Sequence, residues 1–551
     1  MSESGSDTPG PEPEPGPEPE PASAPSPEPE PEAEAEAEAG ARAPVRHVVV
    51  LMLENRSFDH MLGYLVHPDP GYDGLRGGGP YTSPGWDGGP PVAASADAGP
   101  LATMDFDHSH DAAMEQLGGG WVSAHERKAR GLAEPRFGGL LGPLIGWLYP
   151  KFAKKEPIFG VGPEVMRCQD PAGVPVLATL ALEFAVCTRW HCSVPGETWP
   201  NRNYLHAATS DGMTNIQPRF YTDPTIFETL EAAGHGWHVY HDDVPQVWAF
   251  SNLWNGADRI ARWFDISEFT AHAAAGELPA YSFIEPNHRP PVRLNDRPSN
   301  SQHPGNNQIK DQVGASTDFA RAESLIAAVY EALKSNPEAF GQTVLVITYD
   351  EHGGLYDHAP PLTGLPDPGS SPGLLARILR LLAHKKSAAF DFSSSGARVP
   401  AVIVSPLIPR GTTSTTPMEH ASVPATLRAL FAPDRPPLTT RDAAAGRFDT
   451  LLTLSVPRTD LPDLARYALP LGGAPPSGGD PAHDTTTAAQ PPRDHLPDHC
   501  RDLAVLARRV RARLRGRPAV FAGVSWRARD HRALTQALPA FRTAATKARQ
   551  P

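Results

Sequence analysis

The stretch HVVVLMLENRSFDHMLGYL, residues 47 to 65, decides how the chain is read. Val48 to Leu53 is an unbroken apolar run, and it changes at once to Glu54, Asn55, Arg56, Ser57, Phe58, Asp59 and His60. A short run rich in β-branched residues predicts a strand buried on both faces, as in parallel sheets. A solvated loop would account for the polar cluster behind it. So would the carboxyl edge of a parallel sheet, where open α/β folds bind their ligands.

A second stretch repeats the pattern. TVLVITYDEHGGLYDH (343–358) ends an apolar run in Asp350 and Glu351, followed by His352 and the pair Gly353-Gly354. Two buried strands that deliver carboxylates to one edge create a cluster of like charge, which is costly unless a cation neutralises it. Hard oxygen donors of this kind suit a divalent metal ion. GWHVYH (236–241), AYSFIEP (280–286) and RVPAVIVSPLI (398–408) read as further strands, and the amphipathic stretch 318–341 reads as a helix leading into the strand that starts at Thr343. This alternation predicts an α/β fold with a mostly parallel sheet covered by helices.

A third element supplies a candidate nucleophile. In SVPGETWPNRNYLHAATSDG (193–212), Pro195, Gly196 and Pro200 bound a turn around Thr198, and a helix is expected directly after it. A hydroxyl at a helix N-terminus can be activated by a metal, and the free backbone N–H groups favour a phosphoryl group. A helix-capping threonine is the competing reading.

Composition limits the other possibilities. The chain has 551 residues and a formal charge of −14, but residues 1 to 42 hold 12 acids and one Arg, leaving −3 for the rest. Nothing in that balance suggests nucleic acid as a partner. Cys168, Cys187, Cys192 and Cys500 form no CxxC pair, which argues against a zinc ribbon or a disulfide scaffold. No apolar run approaches a membrane span, and the N-terminal residues carry no readable export signal. The expected location is cytoplasmic or peripheral to a membrane, with secretion left open.

The expected organisation has four parts. Residues 1–43 are an acidic Pro/Glu/Ala-rich tail with nothing to bury. Residues 44–458 form the catalytic domain, 459–498 a Pro/Gly-rich linker and 499–551 a basic helical segment with Leu503, Leu506, Val510 and Leu514 on one side. GGLLGPLIGWLYPKF (138–152) and GLLARILRLLAHKK (373–386) pair apolar residues with aromatic or basic ones, as membrane-surface segments do, and as segments packed on a core also do.

Several motifs in order carry a resemblance. ENRSFDHMLGYL, DFDHSH, VPVLATLALEFAVCTRWHCSVPGETWPNRNYLHAATSDG, QHPGNN, YDEHGGLYDHAPP, FDFSSSGARVPAVIVSPLIPRGT and MEHASVPATLRALF span roughly residues 45 to 432. The chain resembles the phosphoesterase family of bacterial phospholipases C and acid phosphatases, and within it most nearly the plant non-specific phospholipases C. The resemblance implies an alkaline-phosphatase-like α/β/α core and phosphoester hydrolysis. It implies Glu54, Asn55, Thr198, Asp350 and Glu351 as metal ligands, with Thr198 also the nucleophile. It further implies Asn201 and Arg202 around the phosphate, and His108 and His303 as phosphate ligand or general acid; for His352 and His358 it assigns no definite role. The metal is one or more divalent ions, with calcium, magnesium, zinc and manganese all compatible. The expected substrate is a phospholipid or a small phosphoester. The leading expectation is a phospholipase C that works through a phosphothreonine. An acid-phosphatase-type monoesterase and a non-catalytic lipid- or phosphate-binding protein are the alternatives.

Overall fold

A computed structural model describes residues 45–132, 157–288, 295, 297–307, 317–368, 390–472, 502–503 and 505–510. Eight strands form the central sheet: β1 (His47–Leu53), β2 (Ala185–Cys187), β3 (Trp237–His241), β4 (Trp263–Asp265), β5 (Tyr281–Glu285), β6 (Thr343–Tyr349), β7 (Ala401–Val404) and β8 (Thr412–Ser414). Their spatial order is β8-β2-β7-β6-β1-β5-β3-β4. The two apolar runs read first from the sequence are therefore neighbours at the centre. β1 pairs in parallel with β6 on one side and β5 on the other.

Both central strands are buried along almost their whole length, which is why they read as continuous apolar runs rather than alternating ones. The covering helices form two packed groups. One contains α2 (Pro175–Glu183), α5 (Phe269–Ala275) and α6 (Asp318–Lys334); the other contains α3 (Thr198–Ala207), α4 (Ile226–Ala232) and α7 (Ser422–Phe431). A sheet buried on both faces with two helix groups is the expected three-layer α/β/α core. A short helix α1 (Phe58–Leu62) follows β1 directly, with Ser57 capping it by accepting from His60 N–H.

Two local expectations change in detail. The helix expected over 318–341 stops at Lys334; Asn336 caps a separate turn, Pro337–Phe340, because proline lacks the N–H a helix interior needs. β7 is antiparallel to both of its neighbours. It begins just past Arg398, whose guanidinium is held by Asp59 (2.9 Å) and Asp357 (2.8 Å), so the chain re-enters the sheet from the edge where β6 ended.

The chain stays on the core past residue 458. Tyr330 Oη and Lys334 Nζ donate to Pro462 O (3.0 and 2.9 Å), and Leu464 is buried. Leu503, Leu506, Ala507 and Val510 join the same central core. The acidic tail, the segments 138–152 and 373–386, residues 473–498 and Leu514 lie outside the described residues. Among the described residues, no helix is long and apolar enough to cross a membrane.

Candidate active site

Three adjacent strands end in acids at one edge. β6 runs into Asp350 and Glu351, β1 into Glu54, and β5 ends in Glu285; all four are fully buried. Register sets their neighbourhood: Leu53 pairs with Tyr349, so Glu54 and Asp350 follow side by side. Two cations lie among them. Arg202 Nε reaches Asp350 Oδ2 at 3.0 Å, its Nη1 reaches Glu285 Oε1 at 2.5 Å, and its Nη2 lies 3.9 Å from Glu54 Oε1. His288 bridges Glu54 Oε2 (2.9 Å) and Glu285 Oε1 (2.8 Å).

These contacts set the protonation states. Burial alone would lower the His288 pKa, but the charges of Glu54 and Glu285 push it up to about 9, so it is an imidazolium at neutral pH. Burial would raise Glu285, yet Arg202 and His288 hold it below the ordinary carboxylate range. Glu351 is raised well above that range, by burial first and then by Asp350 beside it. Asp350 is raised by burial against the pull of Arg202. Four carboxyl groups meet only two cations here, and that imbalance is part of what raises Glu351 and Asp350.

The backbone is bent to aim these groups. Asn55 has φ +57° and donates its N–H to Asp350 Oδ1 (2.9 Å), which also accepts from Glu351 N–H (2.8 Å). A left-handed asparagine is uncommon and directs its side chain off the strand axis. Gly353, at φ +67°, leaves no room for a side chain, since a Cβ there would lie 2.2 Å from Asn55 O.

Thr198 is the first residue of α3 and is buried. Glu197 holds the cap position, so Thr198 is not a helix cap. Arg202 lies one turn further along the same face, and its bond to Asp350 turns that face toward the carboxylates. Asn201 and Arg202, expected around the phosphate, are engaged within the protein. The Asn201 amide donates to the carbonyls of Val194, Gly196 and Glu197 (3.2 Å each) and accepts from Val194 N–H (3.0 Å), stapling the turn before Thr198. Arg202 also donates to Met52 O and Leu53 O (3.2 and 3.4 Å), so its fork is taken up by the strand ends.

The histidines divide into two kinds. His108 Nδ1 donates to Phe106 O (2.9 Å), which leaves a lone pair on Nε2, 3.5 Å from Asn55 Nδ2 and 3.9 Å from Glu351 Oε1. His303 Nδ1 accepts from Gly305 N–H (2.9 Å), so Nε2 carries the ring proton. The two rings meet edge to face at 5.9 Å between centroids. His352 is turned to Gln116 Oε1 (2.7 Å), and burial lowers its pKa to about 3. His358 belongs to a different cluster, with Asp59 (2.7 Å) and Asp73 (3.1 Å).

The donor set fits a divalent cation. Asn55 Oδ1, Thr198 Oγ1 and Glu351 Oε1 are buried and make no hydrogen bond among the described residues. A buried polar atom without a partner costs about 1–3 kcal/mol, and unpartnered oxygens of this kind are the donors a hard divalent cation takes. Asp105, His108 and His303 offer a second set, with ligand atoms within 4.8 Å of one another. Lys128 Nζ stands 3.6 Å from Asp105 Oδ2 and already supplies charge there.

Sequence reasoning did not pick out Glu285, His288 or Asp105 for this site. Glu285 carried the same signal as its neighbours, an apolar strand ending in an acid. His288 lies in a proline-rich stretch where nothing in the spacing marks it.

The Phosphoesterase family pattern matches residues 45–432. Non-specific phospholipase C3 of Arabidopsis thaliana is 32% identical over 440 residues, covering 76% of each chain. Phospholipase C B of Mycobacterium tuberculosis strain H37Rv is 29% identical over 451 residues, covering 76% of this chain and 79% of its own. Among solved structures, a protein in the alkaline phosphatase superfamily from Vibrio parahaemolyticus is 9% identical, with TM-score 0.29, over 71% of this chain and 67% of its own. The Phosphoesterase family match over 45–432 spans the strands that build the acidic edge and the helix that carries Thr198, and the chain belongs to the phosphoesterase family.

Proposed function

We propose that the chain is a phospholipase C that cleaves glycerophospholipids on the diacylglycerol side of phosphorus through a phosphothreonine at Thr198. The observation that carries this reading is Thr198 Oγ1: a buried hydroxyl with no hydrogen-bond partner among the described residues, at the start of a helix turned toward the carboxylates. A hydroxyl left so costs stability unless it serves something else. The substrate class comes from the relatives named phospholipase C.

Glu54, Asn55, Thr198, Asp350 and Glu351 would hold one divalent cation, whose Lewis acidity supplies the activation a threonine hydroxyl needs at neutral pH. Thr198 Oγ1 attacks phosphorus and its proton leaves to a base, for which His108 Nε2 offers a lone pair. The bond from phosphorus to the diacylglycerol oxygen breaks, and His303 Nε2 gives that oxygen its proton. In the second half His303, now lacking that proton, takes one from water. The water oxygen bonds to phosphorus, the Thr198 ester breaks, Thr198 Oγ1 takes back its proton from His108 Nε2, and the phosphorylated head group departs. The N-terminal N–H groups of α3 favour charge on the non-bridging oxygens. Asn201 and Arg202 act indirectly, by fixing the turn and the carboxylates.

Turnover of phosphatidylcholine and of a soluble aryl phosphate monoester, each with and without chelator, tests the reading. Diester turnover that vanishes with chelation and in Thr198→Ala, with weak monoester turnover, is expected. Thr198→Ala should keep its Tm, because no hydrogen bond of Thr198 Oγ1 is lost. Near wild-type activity in Thr198→Ala sinks the mechanism, and faster monoester turnover makes the protein a phosphatase.

A further inference from the structure

His303 owes its place to its neighbour. Gln302 is fully buried and has φ +70°, a left-handed conformation that strains a non-glycine residue. Three hydrogen bonds hold it there. Arg56 Nε donates to Gln302 O (2.9 Å), Tyr349 Oη donates to Gln302 Oε1, and Gln302 Nε2 donates to Phe319 O (3.4 Å). One residue earlier, Ser301 O accepts from Glu54 N–H (2.9 Å).

The origin of these partners matters. Arg56 directly follows Glu54 and Asn55, and Tyr349 directly precedes Asp350 and Glu351. The two strand ends that carry the carboxylate site therefore also carry the groups that grip the His303 loop. Arg56 is itself fixed, by Nη1 to His60 Nε2 (3.0 Å) and by its guanidinium over the Phe319 ring (5.0 Å). An apolar contact of the same volume would close this part of the core without a strained backbone or buried polar groups. What the polar grip adds is a fixed offset between His303 and the ends of β1 and β6.

We propose that Gln302 is a positioning residue: held by Arg56 and Tyr349, it sets His303 Nε2 against the leaving oxygen. This rests on the reading that His303 protonates the leaving alcohol. Loosening the grip should hurt reactions that need that proton and spare those that do not, because a misplacement of about 1 Å costs a proton transfer as much as 100-fold.

The test uses the full chain with two phosphocholine diesters that differ in the leaving group. Phosphatidylcholine releases an alcohol that must be protonated; 4-nitrophenyl phosphocholine releases a phenolate that need not be. Tyr349→Phe removes one hydroxyl at constant shape, and Gln302→Met removes both side-chain hydrogen bonds at similar volume. Each should lower kcat on phosphatidylcholine about 10- to 100-fold and on the nitrophenyl diester less than about threefold, with KM and bound divalent cation unchanged. Equal losses on both substrates, or no loss on either, overturn the positioning role. His303→Ala separates the two layers. If it shows no selective loss on phosphatidylcholine, the acid assignment fails. If it does while Tyr349→Phe and Gln302→Met do not, only the role of Gln302 fails. Should Gln302→Met not fold, the single-hydroxyl change in Tyr349→Phe carries the same comparison.

Discussion

Arg202 offers the sharpest test of how the acidic edge is held together. Its guanidinium is buried, donates to Asp350, Glu285 and two strand-end carbonyls, and lies 3.9 Å from Glu54. Arg202→Met keeps most of the volume and removes the charge. Breaking a buried ion pair from one side typically costs about 3–5 kcal/mol, because the partner charge stays buried and unpaired. Unfolding entropy near 2.1 cal/mol/K per residue gives on the order of 0.9 kcal/mol/K for the roughly 430 residues from 45 to 472, so Tm should fall by about 3–6 °C. Differential scanning calorimetry reads this directly. Adding Glu285→Gln removes one orphaned charge and should recover part of the loss. Saturating divalent cation should also shrink it, since it offsets the charge that the lost guanidinium leaves uncompensated at the edge. A phosphate anchor behaves differently: Tm would stay within about 1 °C while inhibition by inorganic phosphate weakened. That result would refute the clamp.

Gly353→Ala should lower Tm through a left-handed alanine costing about 1–2 kcal/mol. Through the 2.2 Å approach to Asn55 O it should also weaken divalent cation binding at least about tenfold, or 1.4 kcal/mol, by calorimetric titration; unchanged affinity would separate Asn55 from the ligand set. His358 faces Asp59, Asp73, Arg398 and the Tyr81 ring, and though burial opposes it, Asp59 and Asp73 raise its pKa to about 9. A pKa above the unfolded value of about 6.5 means stability present below pH 6.5 and lost as pH rises through 9. The urea stability of wild type over His358→Gln should therefore shrink from pH 6 to pH 9, and a pH-independent gap contradicts the pairing. A chain ended after residue 458 should be less stable than one ended after 472 by at least about 3 kcal/mol, since buried Leu464 and the Pro462 contacts are lost. Equal denaturation midpoints would make 459–472 a tether only.

What was legible in the sequence follows from which interactions are local. Val48–Leu53 and Val344–Ile347 read as doubly buried strands because burial on both faces leaves no alternation to misread. The acids behind them read as a ligand set because unpaired carboxylates at a buried edge need a reason. The antiparallel sense of β7 was not legible: it depends on where Arg398 is tied down, and Asp59 and Asp357 lie far away in the chain. The left-handed turns at Asn55 and Gln302 were equally hidden, because neither residue demands a positive φ; Gly353 and the Arg56–Tyr349 grip impose it. Arg202 shows the limit most clearly. An arginine one turn past a helix start reads the same whether it faces an incoming anion or the carboxylates beneath it. Its partners are fixed by the register of β1, β5 and β6, which no spacing within 193–212 encodes. A motif in the sequence does not separate residues that meet a ligand from those that hold the ligand's donors in place. The hydrogen bonds do: every guanidinium nitrogen of Arg202 donates to a carboxylate or a strand-end carbonyl of its own chain, while Thr198 Oγ1, one turn away, has no partner among the described residues.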